Sequence, residues 1–237
     1  MIEKIAYNLG INDEEPNITL ALELSNSKDL EGIREIVNGL KNKKQQIAND
    51  CIKVLYEIGE INPKLISDYV LDFIQLLKSQ NNRLVWGSMT AISQITFLKP
   101  KEVFENIETV ITAYKNGSVI TRDNSISVFA ELAKADKHYE KIMFKKIIEH
   151  LETCRPKEVG QHAERAFTCI NEENSKEFVD VLLKRKESLT DAQKKRVDKL
   201  IKKIENGQFI SWYDRFYGYR HLSLNYYLWD VMLELWG

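Results

Sequence analysis

The chain has 237 residues, of which 43% are hydrophobic and 29% charged, and its formal net charge is −1. This is the composition of a folded protein with no global attraction for nucleic acid or an anionic membrane. Three widely spaced cysteines argue against a disulfide framework and favour a reducing, cytoplasmic location. We expect no signal peptide, since no basic lead precedes an apolar run, and the most apolar stretch, 222–236, is too short for a membrane span.

The first 26 residues predict a short helix over 2–9, an acidic loop, and a second helix over 17–25. We expect this segment to be an N-terminal cap on the structure that follows. Residues 27–207 then show self-similarity at a period of about 37 residues, the signature of a repeat architecture.

Four columns of apolar residues recur at this period, with offsets of 0, 3, 4 and 7 that define one face of a helix. The columns are Ile33, Val70, Ile107, Phe144; Ile36, Phe73, Val110, Ile147; Val37, Ile74, Ile111, Ile148; and Leu40, Leu77, Tyr114, Leu151. The same first helix is therefore predicted four times. Pro63 and Pro100 stand at equivalent places, just inside the start of the next first helix, where a missing N–H costs little.

A second helix follows each first helix, with its own apolar columns and one column of small residues where helices approach closely. These columns are Leu55, Ile92, Phe129, Phe167; Ile58, Ile95, Leu132, Ile170; and Cys51, Ser88, Ser125, Ala163. A shorter fifth pair is predicted from Val179, Leu182, Leu183 and from Val197, Ile201, Ile204. A helix pair cannot bury its stripe alone, so neighbouring pairs must stack, and columns in register argue against a compact bundle.

Paired helices of this period, with proline near the first helix, resemble the HEAT repeats over residues 27–205. The resemblance implies an all-α fold, a right-handed α-solenoid of about five helical hairpins with N- and C-terminal caps. The sequence departs from the usual HEAT pattern because it has no regular Asp and Arg ladder between repeats. HEAT-like arrays serve many tasks, so the resemblance says little about function.

Residues 208–237 are rich in aromatic side chains, including three of the four tryptophans. We expect a terminal cap over the end of the array, an interface for self-association or a partner, or an appended segment. The residues predicted to form a tail interface are Trp212, Phe216, Tyr227, Trp229 and Trp236.

The second helices of a HEAT-like array line its concave side, so their polar positions are the candidate binding residues. These are Lys53, Arg83, Trp86, Arg122, Asp123, Gln161 and Arg165. Trp86 stands in an otherwise polar column, which is typical of a binding anchor, although it could instead pack against the next repeat.

The sequence carries no catalytic motif, and we expect no enzyme activity, cofactor or metal site. Four residues of one repeat invite a zinc interpretation, but their spacing fits no standard zinc motif: His150, Cys154, His162 and Cys169.

Charge is uneven along the chain, with net −5 over residues 1–40 and net +6 over residues 184–203. The basic run is either a solvated helix face or a contact for an acidic partner or phosphates.

The favoured hypothesis is a non-enzymatic scaffold or adaptor that binds a protein or peptide on its concave face. A second hypothesis is a nucleic-acid-directed protein similar to the HEAT-like DNA alkylpurine glycosylases, which use tryptophan, aspartate and arginine on a basic face. Trp86, Asp123, Arg122 and Arg165 imitate that set, but the neutral overall charge disfavours it. A third is a structural subunit that self-associates through its aromatic tail.

Overall fold

The computed structural model describes residues 1–209, and within that range the chain forms α-helices and short 3-10 helices but no strand. The predicted all-α fold is confirmed. The chain divides into two compact units, one comprising residues 1–153 and the other beginning at Cys154. The expectations for the aromatic tail concern residues that lie almost entirely outside the described range.

The first unit contains nine of the helices found in the described part of the chain. They are α1 (Glu15–Ser27), α2 (Leu30–Gly39), α3 (Gln45–Ile61), α4 (Val70–Leu76), α5 (Asn82–Ile95), α6 (Pro100–Glu105), α7 (Ile107–Asn116), α8 (Val119–Ala135) and α9 (Lys137–Thr153). Short 3-10 helices cover Ile2–Lys4, Pro63–Leu65 and Ser67–Tyr69.

The second unit, as far as residue 209, contains three α-helices and two 3-10 turns. They are α10 (Pro156–Ala166), α11 (Ser175–Arg185) and α12 (Asp191–Glu205), with 3-10 turns at Phe167–Cys169 and Lys186–Ser188. Helix α12 packs on both α10 and α11. The fourth predicted hairpin is thus divided, since its first helix ends the first unit and its second helix begins the second unit.

Polar side chains fix where several helices begin. Asp29 accepts a hydrogen bond from the N–H of Gly32 at the start of α2, and the Ser118 hydroxyl accepts one from Thr121 at the start of α8. At α12, Thr190 and Gln193 form a reciprocal capping box. Each contact satisfies an N–H group that the first turn of a helix leaves without a partner.

The predicted apolar columns form the core of the two units. All of their members are buried except Ile107 and Tyr114, which are half-buried. The small-residue column is fully buried as well, and a methyl group added at Gly39 would lie 2.4 Å from the Cys51 sulfur. Helices α2 and α3 therefore approach closely at this column, as the sequence predicts.

The repeats differ from simple hairpins in one respect. Pro63 and Pro100 do not begin the long first helices; they begin extra short helices that precede them, Pro63–Leu65 and α6. Helices α6, α7 and α8 consequently form a three-helix repeat. Sequence periodicity missed the extra helices because each is shorter than two turns and contributes few residues to an apolar stripe.

Two local predictions were wrong. The predicted helix over 2–9 is a single 3-10 turn followed by irregular turns, which end at Gly10 with a φ of +69°. In α11 the buried stripe is Phe178, Val181 and Leu182, whereas Leu183 is 47% exposed. The stripe lies one position earlier than predicted because Phe178, the largest apolar side chain of the helix, packs inward.

No helix within residues 1–209 combines the length and the apolar character needed to cross a membrane.

Candidate functional site

Three helices of the first unit, α3, α5 and α8, pack side by side, and α1 packs against the outer side of α3. Close approach of α3 and α5 depends on Gly87, where an added methyl carbon would lie 2.7 Å from Ile52. We call the outward-facing polar side of these helices the α3–α5–α8 surface; its residues are Asn49, Lys53, Asn81, Arg83, Trp86, Thr90, Asp123 and Asn124.

Side-chain hydrogen bonds cross this surface from helix to helix. The Asn81 amide donates to Asn49 Oδ1 at 2.8 Å, which links the start of α5 to α3. On the other side, the Asn124 amide donates to the Thr90 hydroxyl at 2.9 Å, linking α8 to α5. These contacts fix the side chains on both sides of Trp86.

Trp86 lies between these two links and is half-buried. Its ring centroid is 5.7 Å from that of Tyr56 on α3, with the planes inclined at 46°. The guanidinium carbon of Arg83 lies 4.6 Å from the centre of the Trp86 ring, within cation–π range. Trp86 therefore packs against α3, in the preceding repeat and not the next one, and is covered in part by a cation from its own helix.

Glu14, just before α1, joins this group to the N-terminal segment. Its carboxylate accepts a hydrogen bond from Arg83 and forms an ion pair of 3.1 Å with Lys53. Lys53 also donates to Glu57 at 2.6 Å and lies 5.0 Å above the Tyr56 ring. We call Glu14, Lys53, Tyr56, Arg83 and Trp86 the Trp86 cluster.

Electrostatics in the Trp86 cluster favour the charged forms of its acid and its bases. Partial burial acts to raise the pKa of Glu14, but hydrogen bonds from Arg83 and Lys53 outweigh it and lower that pKa below its usual range. Burial acts to lower the pKa of Lys53, but Glu57 and Glu14 outweigh it and raise that pKa. Burial also raises the pKa of Tyr56, so its hydroxyl is neutral at physiological pH.

The structure brings together some of the predicted binding residues. Lys53, Arg83 and Trp86 belong to one cluster, although Lys53 is only 7% exposed and already salt-bridged. Arg122 and Asp123 lie half-buried on α8, where the Arg122 guanidinium reaches the Gly117 carbonyl at 3.4 Å.

Gln161 and Arg165 lie half-buried on α10, in the second unit. The five predicted tail residues lie outside the described range.

Sequence reasoning missed Glu14, Tyr56 and Asn81. The sequence predicts an acidic loop around Glu14 but no partner for its side chain, because a contact across 69 residues does not affect the periodicity. Tyr56 follows a core position directly. Asn81 caps the start of α5, and the sequence gives no sign that its amide also reaches α3.

The three cysteines, Cys51, Cys154 and Cys169, are all buried and form no disulfide. Burial raises the pKa of the Cys51 thiol to about 12 and that of Cys154 to about 11. Since the thiolate is the nucleophilic form, neither of these two thiols is activated for chemistry at neutral pH.

No family model matches the sequence, and no curated protein matches it either. Solved structures do match. A designed armadillo repeat protein in complex with the peptide (KR)4 is similar at a TM-score of 0.59 and 12% identity, over 81% of this chain and 86% of that one. A second designed armadillo repeat protein matches at a TM-score of 0.58 and 12% identity, over 85% of this chain and 99% of that one.

An engineered protein from a structural genomics consortium matches at a TM-score of 0.58 and 17% identity, over 88% of this chain and 98% of that one. At these identities the likeness concerns the fold alone. The chain therefore has the fold of a helical repeat solenoid.

Proposed function

We propose that this protein is a non-enzymatic scaffold that binds an extended, basic peptide segment of a partner protein on the α3–α5–α8 surface. The observation that carries the proposal is the half-buried indole of Trp86 between two helix-to-helix hydrogen bonds. A large aromatic side chain held in place by its neighbours is the usual form of a binding anchor.

The polar residues around Trp86 suit a peptide backbone. An asparagine amide both donates and accepts hydrogen bonds, so it can pair with an extended chain in either direction. Asn49 Oδ1 accepts a hydrogen bond from Asn81, and the amide N–H groups of Asn49 have no partner within residues 1–209. These N–H groups can donate to peptide carbonyls beside the indole.

The Trp86 cluster also indicates which side chain the peptide would present. Arg83 already places a guanidinium against the indole and on Glu14, and this is the pairing that an incoming arginine or lysine would make. Arg83 Nε is buried with no hydrogen-bond partner among residues 1–209, so Arg83 is incompletely satisfied where it lies. A peptide cation can therefore take its place. The peptide (KR)4 bound to a designed armadillo repeat protein of similar fold supports this chemistry.

The nucleic-acid hypothesis has less support. Duplex binding requires several cations that neutralise phosphates. On the α3–α5–α8 surface, Lys53 and Arg83 are both neutralised by Glu14, and Lys53 also by Glu57. The hypothesis of self-association through the tail concerns residues outside the described range.

Within the helical repeat class, we infer an armadillo-type arrangement rather than plain HEAT hairpins. Armadillo repeats have three helices where HEAT repeats have two. The short helix α6 ahead of α7 and α8 supports the three-helix form, as do the designed armadillo neighbours.

The test is binding of a fluorescent (KR)4 peptide to the full chain, with an acidic peptide of the same length as the control ligand. We expect Trp86→Ala to weaken binding by about tenfold or more, which is the loss of an anchor worth about 1.4 kcal/mol or more. Trp86→Phe should keep part of the affinity. Leu71→Ala, at a 57% exposed position on α4, should leave the affinity for the peptide unchanged. A folded Trp86→Ala protein with unaltered affinity would rule the proposal out.

A further inference from the structure

A groove of about 460 Å³ lies between α10 and α12 in the second unit, and none of its lining residues belongs to the Trp86 cluster. Its floor includes the apolar side chains of Phe167 and Leu200, which are 6% and 5% exposed. One wall is Arg196, which lies across Gly160: a methyl carbon added there would come within 2.9 Å of Arg196 Cδ. The groove is thus built by packing between two helices.

The charge along this groove is positive, and the acids within residues 1–209 do not neutralise it. Glu164 is held by the Arg196 guanidinium through two hydrogen bonds, one of them 2.7 Å. The aspartates of α12 are engaged elsewhere, Asp198 with Lys186 at 2.5 Å and Asp191 with Lys194 at 3.8 Å.

Three exposed lysines, Lys195, Lys199 and Lys203, also line the groove and form no ion pair among the described residues. They follow one another at intervals of four residues along one side of α12. With a rise of about 1.5 Å per residue, successive lysines are about 6 Å apart along the helix axis. A second helix with acidic residues at every fourth position has the same spacing, so its carboxylates would meet all three lysines.

We infer that this groove binds an acidic amphipathic helix of a partner protein. The acidic row of that helix pairs with Lys195, Lys199 and Lys203, and its neighbouring apolar row enters the groove over Phe167 and Leu200. The apolar floor favours such a helix over a nucleic acid, because charged phosphates gain nothing from contact with apolar side chains. Laying an amphipathic helix into an apolar groove is a common mode of recognition.

The experiment uses the full chain and a fluorescent synthetic peptide built of Glu-Ala-Gln-Leu repeats, which presents acidic and leucine rows at helical spacing. A peptide with alanine in place of leucine, one with lysine in place of glutamate, and a single-stranded thymidine oligonucleotide are the comparison probes. We expect binding of the first peptide alone, weakening as salt rises because the contact is largely electrostatic.

The test variant is Lys195→Glu with Lys199→Glu, which should weaken binding by about tenfold or more. The matched control is Lys176→Glu with Lys184→Glu, the same change in charge at exposed positions of α11 outside the groove. It should change affinity by less than about twofold. All of these positions are exposed, so both proteins should fold, which their thermal unfolding checks.

Equal weakening in the two double variants would reduce the effect to net charge and overturn the inference. So would preference for the oligonucleotide, or no binding of the acidic peptide in low salt. Binding only after residues 210–237 are removed would assign the groove to the chain's own tail and overturn it as well. Trp86→Ala should leave this binding unchanged, so the result is independent of the proposed function.

Discussion

The guanidinium carbon of Arg83 lies 4.6 Å from the centre of the Trp86 ring, so one face of this indole carries a cation from the same helix. Arg83 is held there by Glu14, 69 residues earlier in the chain. The pair explains how a tryptophan persists at a position that is otherwise polar in the repeats. In the proposed binding mode, Arg83 is the cation that the bound peptide replaces.

The ion pair between Glu14 and Arg83 should contribute modestly to stability. Their side chains are 47% and 30% exposed, so water screens the attraction. In a double-mutant cycle with Glu14→Gln and Arg83→Gln, we expect a coupling of about 0.5–1 kcal/mol in the free energy of unfolding measured with urea. A coupling of zero would mean that the two side chains do not interact in solution.

Acid should remove the contribution of Glu14. Its pKa in the folded protein is lowered below the ordinary value of 4.5, so its stabilisation is present above about pH 4.5 and is lost as the pH falls through the folded pKa. The difference in unfolding free energy between wild type and Glu14→Gln should therefore be larger at pH 7 than at pH 3. Lys53 adds no slope in this window, because its pKa is raised from a value already far above it. A difference independent of pH would contradict this assignment.

Gly87→Ala should destabilise the first unit. The added methyl carbon would lie 2.7 Å from Ile52, which is fully buried on α3. Overpacking of this kind costs about 1–3 kcal/mol, read from the midpoint of chemical unfolding. Ile52→Ala removes the clashing atoms, so Gly87→Ala should cost less in that background. An equal loss of unfolding free energy in both backgrounds would show that Gly87 is not needed for the close approach of α3 and α5.

Asn17 should hold the N-terminal turn to α1. Its buried side-chain oxygen accepts a hydrogen bond from the N–H of Ala6 at 3.0 Å. Asn17→Ala leaves that N–H without its acceptor and should cost about 1–3 kcal/mol. Hydrogen exchange at Ala6 should become much faster, while exchange in α8, which Asn17 does not touch, should change only with global stability. Unchanged protection at Ala6 would contradict the role assigned to Asn17.

Repetition made the core predictable. Columns such as Ile36, Phe73, Val110 and Ile147 recur with helical spacing, and each of these side chains is fully buried. The same logic failed at α11, where Phe178 rather than Leu183 turns inward. A short final repeat offers few equivalent positions, so its register is weakly determined by comparison with the others.

The candidate site was only half predictable. Trp86 stood out because it broke a pattern, and Arg83 lay one helical turn before it. Glu14 and Tyr56 could not be found in this way, because their contacts with the cluster depend on how α1 and α3 pack in three dimensions. Periodicity identifies the face of a helix, but it does not identify the partner that a distant segment provides.

We expect a basic side chain of a bound peptide to replace Arg83 on Trp86 and Glu14, and the affinities of two single variants for the (KR)4 peptide test this replacement. Arg83→Ala removes the competing cation, so affinity should rise by severalfold, because a larger fraction of the protein is ready to bind. Glu14→Gln removes the carboxylate that the peptide needs, so affinity should fall. Opposite changes in the two variants would support the replacement of Arg83 by the peptide cation. A fall in both, or no change in either, would contradict it.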